Sequence, residues 1–281
     1  GGKATINYQG NGALGGDLDV MTQEQNNDVQ LFATQPATMV AAVPGLACMD
    51  LPMAFNGYTS DQIEQVLNGN NEFTDGLQEA AEAANVHILG WLQDATYRQV
   101  TSNKELKSLA DYKGFQIRTM ENANHMAFWK AVGAEPTPLA FAELYGALQN
   151  GTVNGQENAT DTSVGASFQE VQKYLCRTNH ILYANVISIN KDCWESMDPA
   201  YQEALTEAVL AATNNIKSKL GQYDLDNEKV MTDAGMEVIT YDDQFFTDFL
   251  ANDGVQAVYK DISKQTNGLS DKMIAALEAT K

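Results

Sequence analysis

The chain has 281 residues, 44% hydrophobic and 19% charged, an ordinary globular composition with room for one large core or two smaller ones. Seventeen basic residues against thirty-seven acidic ones give a formal charge of −20. Such a surface repels phosphate backbones and anionic headgroups, which argues against nucleic-acid and membrane-surface partners. It restricts any anion site to a local, recessed set of cations and amides.

No apolar run approaches the ~18–20 residues of a membrane span. No basic-then-apolar leader precedes Gly1, so the sequence is expected to represent a mature or trimmed form. In chain order, the β-branched runs Ala4–Tyr8, Val29–Ala33 and Val86–Trp91 predict strands. Asp17–Gln25 and Phe73–Ala84 predict helices, the second with Leu77, Ala80, Ala81 and Ala84 on one face. This alternation predicts an α/β fold with a mainly parallel sheet.

The middle third repeats the pattern. A strand is expected at Phe115–Thr119, a helix at Ala123–Val132, an extended break at Pro136–Pro138 and a helix at Ala142–Gln149 that stops at Asn150–Gly151. A strand at Thr152–Gln156, a helix near Ala166–Tyr174 and one apolar strand, Ile181–Ile189, follow. From Pro199 to Thr232 there is no internal proline, and Leu205, Val209, Ala212, Ile216, Leu220 and Tyr223 fall on one helical stripe. Unbroken, that helix would run on the order of 45 Å, longer than one small lobe, and would cross between two. Gly221 is the one place where it is expected to bend.

Gly10-Asn-Gly12-Ala-Leu-Gly15 matches a dinucleotide fingerprint between a predicted strand and helix. The next strand ends without the acidic residue that would hold a ribose, and Asp17 would repel a pyrophosphate at the helix N-terminus, so we read a glycine-rich turn. Cys48, Cys176 and Cys193 have no metal or redox spacing and are expected to be free thiols. His87, His125 and His180 show no ligand spacing and read as ordinary satisfied histidines. No nucleophile elbow, phosphate loop or metalloprotease motif is present, so no cofactor, no metal and no catalytic residue is expected.

Only three basic residues are arginines, Arg98, Arg118 and Arg177; the other fourteen are lysines. Arg118 ends a predicted strand, where open α/β sheets place ligands and where a guanidinium can grip a carboxylate with two parallel bonds. A structural salt bridge to one of the many acids is the competing reading for each arginine.

Several blocks together resemble the solute-binding proteins of TRAP (tripartite ATP-independent periplasmic) transporters. They are Leu109-Ala-Asp-Tyr-Lys-Gly-Phe-Gln-Ile-Arg118, Val132-Gly-Ala-Glu-Pro-Thr-Pro138, Phe141–Gln149, Gly151-Thr-Val-Asn-Gly-Gln-Glu-Asn158, Glu170–Leu175 and Thr178-Asn-His180. Tyr97–Lys104 resembles the sialic-acid-binding branch. The resemblance implies a two-lobed periplasmic-binding-protein-like α/β fold with a cleft and a long hinge-spanning helix. The lobes would be 1–96 plus 184–223, and 97–183 plus 224–281.

It implies that Arg118 forms the salt bridge to a ligand carboxylate. Asn158 would hold the same carboxylate or orient Arg118, and Arg98 would add a second contact. Phe141 and Phe168 would be cleft walls, Asp17 would meet ligand hydroxyls, and Glu157 would be structural, pairing with a cation. Two departures stand out. The family's usual leading strand and helix, ahead of Lys3, are missing, so the first sheet is expected to be short of a strand; and Ala159 follows Asn158 where proline is usual.

The function expected is an extracytoplasmic, non-enzymatic and monomeric receptor. It would close on a small organic acid, a sugar acid or similar carboxylate, and deliver it to the membrane permease. A sensor module with the same cleft and an α/β enzyme using Arg118 as substrate anchor are the alternatives.

Overall fold

A computed structural model describes residues 5–281. It contains two sheets flanked by helices. The smaller is built from β1 (Leu31–Thr34), β8 (Asn185–Asn190) and β2 (Val86–Leu92) in that order, all antiparallel. The larger has the order β5 (Glu135–Pro138), β4 (Gln116–Thr119), β6 (Gly155–Asn158), β3 (Tyr97–Ser102), β7 (Tyr174–Leu182) and β9 (Glu237–Ile239). In it β4 runs parallel to β5 and β6, β7 runs parallel to β9, and β3 is antiparallel to both of its neighbours. The expected mainly parallel sheet is thus corrected to one antiparallel and one mixed sheet.

The chain passes between the sheets where β2 leads into β3 through residues 93–96, where β7 leads into β8 through Tyr183–Ala184, and a third time through the helices between β8 and β9. The first two crossings lie side by side, the Tyr183 amide donating to the Thr96 carbonyl at 3.2 Å. This is why the apolar run Ile181–Ile189 is two strands rather than one: it is buried on both sides of the crossing, but in different sheets.

Helix α1 (Asp17–Gln25) matches its expected bounds. Ahead of it the glycine-rich segment forms turns, with Asn11 and Gly12 in the left-handed region. The strand expected at Ala4–Tyr8 is absent over residues 5–8, and Ala4 lies outside the described residues. Ile6 and Tyr8 are exposed there, so the β-branched pattern has no sheet edge to bury it. The helix expected near Ala166–Tyr174 is replaced by α7 (Thr160–Gly165) and a 3-10 turn at Phe168–Glu170, separated by Ser167 in a left-handed conformation.

The long helical stripe folds as α9 (Pro199–Lys217) and α10 (Leu220–Asp233), interrupted at Ser218–Lys219 rather than at Gly221. Asp198 caps α9 by accepting from the Ala200 amide, and Pro199 occupies the first turn, where its missing N–H costs nothing. Helix α9 packs on the small sheet, with Val209 against Leu89, Ile187 and Ile189. Helix α10 buries Met231 against Leu175 and Met236 beside the large sheet. The final helices, α12 (Asp253–Gln265) and α13 (Leu269–Glu278), pack on residues 44–50; α12 also meets α5 (Ala123–Ala131), and α13 meets α4 (Glu72–Glu82).

One glycine fixes the strand that matters most. A Cβ on Gly155 would sit 2.3 Å from the Thr101 carbonyl oxygen and 2.6 Å from the Phe115 ring, so only glycine lets β6 enter between β3 and β4.

Candidate functional site

The strand register brings distant residues together. Arg118 on β4 is level with Gln156 on the parallel β6, so Asn158 stands two residues further toward the same edge. The antiparallel β3 pairs Gln99 with Asn158, which brings Arg98 to that edge as well. Three sequence-predicted residues from positions 98, 118 and 158 therefore meet where β4 and β6 end, the position at which an open α/β sheet offers its ligand site.

Their chemistry differs. Arg98 is fully buried. Its Nη2 donates to Glu157 Oε1 at 3.1 Å, to the Glu157 carbonyl at 2.8 Å and to Asn158 Oδ1 at 2.9 Å, and its Nε also bonds Glu157. Its Nη1 reaches only Gln35 Oε1, at 3.4 Å. Glu157 thus pairs with a cation, as expected of it. Arg98 spends most of its fork on this internal ion pair and orients Asn158, whose amide donates to Gln156 Oε1 at 2.7 Å.

Arg118 is only 3% exposed, yet among the described residues no carboxylate lies within ion-pair distance of it. Its Nε and Nη2 both donate to the Leu139 carbonyl, and its buried Nη1 has no partner among the described residues. Burial pulls its ordinarily very high pKa down to about 10; the field of Glu157 opposes that shift and the charge of Arg98 adds to it. The group stays charged at neutral pH. A buried charged donor left unsatisfied is costly, so its geometry calls for an external acceptor.

Asp17 opens α1 and is exposed to solvent. Its carboxyl is nevertheless raised, because surrounding protein desolvates it, while the charge of Arg118 lowers it in part. Phe141 begins α6 (Phe141–Gln149) and is 47% exposed, its ring centroid 6.1 Å from that of Phe168. Phe168 is buried with Leu144, Leu148 and Val153, so it backs Phe141 from within the core and presents no free wall.

Sequence reasoning missed a second layer. Glu157 Oε2 accepts from His180 Nε2 at 2.9 Å, and His125 lies between Glu157 and Asp50, all of them buried. The partners are separated by 23 to 75 residues, and no local spacing marks them. Among the described residues no cluster of side chains has the makings of a metal site. The three cysteines are free: Cys48 and Cys176 buried, Cys193 half-buried.

Two sheets joined by paired crossings, with a buried and unpaired guanidinium at the strand ends, define a two-lobed binding protein of the periplasmic type. The chain belongs to the bacterial extracellular solute-binding protein family 7, which matches residues 1–266. It is a solute-binding protein of the TRAP transport class, a family of transporter components rather than enzymes.

The 2,3-diketo-L-gulonate-binding periplasmic protein YiaO of Escherichia coli (strain K12) is 30% identical over 256 residues, covering 89% of this chain and 72% of that one. The sialic acid-binding periplasmic protein SiaP of Vibrio cholerae is 26% identical over 250 residues, covering 89% and 70%. The crystal structure of a TRAP periplasmic solute-binding protein from a Polaromonas species, bound to D-erythronate, superposes with a TM-score of 0.83 at 27% identity. It covers 95% of this chain and 85% of that one. Among the described residues no helix is long and apolar enough to cross a membrane.

Proposed function

We propose that this protein binds a small hydroxylated monocarboxylate, a sugar acid or close analogue, outside the cytoplasm and presents it as a monomer to a TRAP permease. The observation that carries the reading is Arg118: among the described residues, a buried guanidinium with an unpartnered Nη1 and no carboxylate within ion-pair distance. The ligand carboxylate takes the place of the missing counter-ion, with Asn158 at its side and Arg98 locked behind Asn158. Phe141 offers an apolar face to the carbon chain, and Asp17 accepts from a hydroxyl. Glu157 stays internal.

Closure takes place about the paired crossings at 93–96 and 183–184, between a part containing 1–96 plus 184–223 and a part containing 97–183 plus 224–281. The C-terminal helices touch both. The relatives support the ligand class, since those named above bind a diketo sugar acid, sialic acid and D-erythronate. Calorimetry with those three acids, and with the neutral amide of erythronic acid, tests the reading. At least one acid should bind stoichiometrically and without turnover. An amide as tight as its acid would remove Arg118 from the ligand role, and conversion of a bound acid would revive an enzymatic reading.

A further inference from the structure

His125, on α5 seven residues after Arg118, is fully buried. Its Nε2 lies 3.1 Å from Asp50 Oδ1, and its Nδ1 faces Glu157 Oε1 at 3.9 Å with no hydrogen-bond partner. A neutral imidazole turns a lone pair toward one of its two neighbours, and here both neighbours are carboxylates, which only accept. The imidazolium alone suits both sides.

His180, the other ring on Glu157, is arranged differently. Its Nε2 donates to Glu157, while its Nδ1 lies 2.7 Å from Thr178 Oγ1, a hydroxyl able to donate, so the neutral ring is satisfied. Asp50 accepts from the side-chain amides of Asn122 and Asn124, each donating to Oδ2 at 2.9 Å.

The charges can now be added. Asp50 and Glu157 are two buried anions, and Arg98 supplies one buried cation. A charged His125 supplies the second, leaving the set neutral and Arg118 with only the fields of Glu121 and Asp17, both beyond ion-pair distance, to offset its charge. Were His125 neutral, the set would carry one negative charge, Arg118 would serve as its counter-ion, and the site would offer an acid no net attraction.

We infer that His125, held as an imidazolium between Asp50 and Glu157, is a positioning residue for the ligand site whose charge keeps Arg118 free for an incoming carboxylate. The inference rests on the carboxylate reading above. Burial opposes the charge on His125, but Asp50 and Glu157 outweigh it and hold the ring's pKa up to about 9. His180 is held below its ordinary value, chiefly by burial. The groups that face His125 are Asp50 from the 44–50 segment, Glu157 from β6 and, behind Glu157, Arg98 from β3 and His180 from β7. Arg118 on β4 feels Glu157, Arg98, Glu121 and Asp17. From the packed α12 only the uncharged Gln265 reaches this region, bonding Asn124, and among the described residues no α12 charge lies within ion-pair distance of the network.

Two measurements test this. The first is ring carbon and nitrogen chemical shifts of the three histidines in ligand-free protein from pH 6 to 10. The second is calorimetry over the same range with D-erythronate and sialic acid, on wild type, His125→Gln and Asp50→Asn, each confirmed as cooperatively folded by thermal melting. We expect His125 to be charged at pH 7.5 and wild-type affinity to fall roughly threefold by pH 9.5. His125→Gln should be weaker by roughly tenfold at pH 7.5 and nearly flat up to pH 9.5. Asp50→Asn should move the fall to lower pH. A neutral His125 at pH 7.5, or a His125→Gln profile that overlays wild type, overturns the positioning role while leaving the carboxylate reading intact. Failure of both acids to bind wild type overturns both. If His125→Gln does not fold, the wild-type shifts and the Asp50→Asn profile still decide.

Discussion

Arg118→Met separates ligand binding from stability, because the two should move in opposite directions. In the ligand-free protein Arg118 is buried with no carboxylate within ion-pair distance among the described residues, and burial in the main pulls its pKa down to about 10, a net cost on the order of 3 kcal/mol. Methionine fills a similar volume and removes that charge. It also removes the two donations to the Leu139 carbonyl, a loss of about 1–1.5 kcal/mol if that oxygen finds no other donor. The balance predicts that ligand-stripped Arg118→Met is more stable than wild type by roughly 1–2 kcal/mol, a rise in Tm of about 2–6 °C for a chain of this size.

Binding should go the other way. Losing one partner of a buried charged pair costs ~2–5 kcal/mol, or roughly thirty- to several-thousand-fold in Kd. Arg118→Lys should recover little of this, because an ammonium lacks the fork. The assay is thermal unfolding of protein refolded from guanidinium to remove bound solute, paired with calorimetry against D-erythronate and sialic acid. A lower Tm in the stripped methionine variant would refute the idea that Arg118 is strained for want of an anion. Unchanged affinity would refute its role.

The other arginine gives the opposite pattern. Arg98→Met strands the buried Glu157 and should cost ~3–5 kcal/mol of stability, read as a large fall in the urea midpoint; a wild-type midpoint would show that the pair is not structural. Glu24 is buried with Ser188 as the hydroxyl partner of one oxygen, and its carboxyl is pushed up to about 7, as is that of Asp94. Both folded-state values lie above those of the unfolded chain, so the folded state holds the extra protons and stability should fall as pH rises from about 4.5 to about 7, then level off. Glu24→Gln should flatten part of that slope, and an unchanged slope would point to other groups. Native protein should react with a thiol reagent only at Cys193, since burial pushes Cys48 and Cys176 up to about 12; denatured, unreduced protein should show three thiols, and fewer would mean a disulfide.

Much of the fold is written locally. The turn of glycines before α1, the Asp198–Pro199 start of α9 and the β-branched β2 each carry their own chemistry, and each element forms where that chemistry predicts. What is not local was misread. Ile181–Ile189 is apolar throughout because both sheets bury it, so nothing in its pattern marks the crossing at Tyr183–Ala184. The apolar stripe of α9 continues into α10, which hides the interruption at Ser218–Lys219.

The site shows the same division. Arg118 stands out in the sequence because it is a rare arginine at a strand end. The pairing of Arg98 with Glu157 joins residues 59 apart, and that of Asp50 with His125 joins residues 75 apart. Such partners are set by strand register and helix docking, which no spacing rule encodes. The resemblance implies Phe168 as a wall beside Phe141, and its burial with Leu144, Leu148 and Val153 is a matter of packing that no local pattern marks.

A continuous helix from Pro199 to Asp233 would act as a brace, since bending it means stretching its own hydrogen bonds. Here the two halves are bolted to different parts of the molecule. Thr213 donates to the Trp91 carbonyl at 2.9 Å and Lys217 pairs with Asp61 at 2.7 Å, fixing α9 to the small-sheet side. Arg177 pairs with Glu228, and Asp224 accepts from Thr160 at 3.1 Å, fixing α10 to the large-sheet side. Any rotation of one sheet against the other would bear on Ser218 and Lys219, with the halves as levers of roughly 28 Å and 21 Å. Ten degrees of rotation at that joint would carry the far end of α9 through roughly 5 Å, comparable to one helical turn, without breaking a single bond inside either lever.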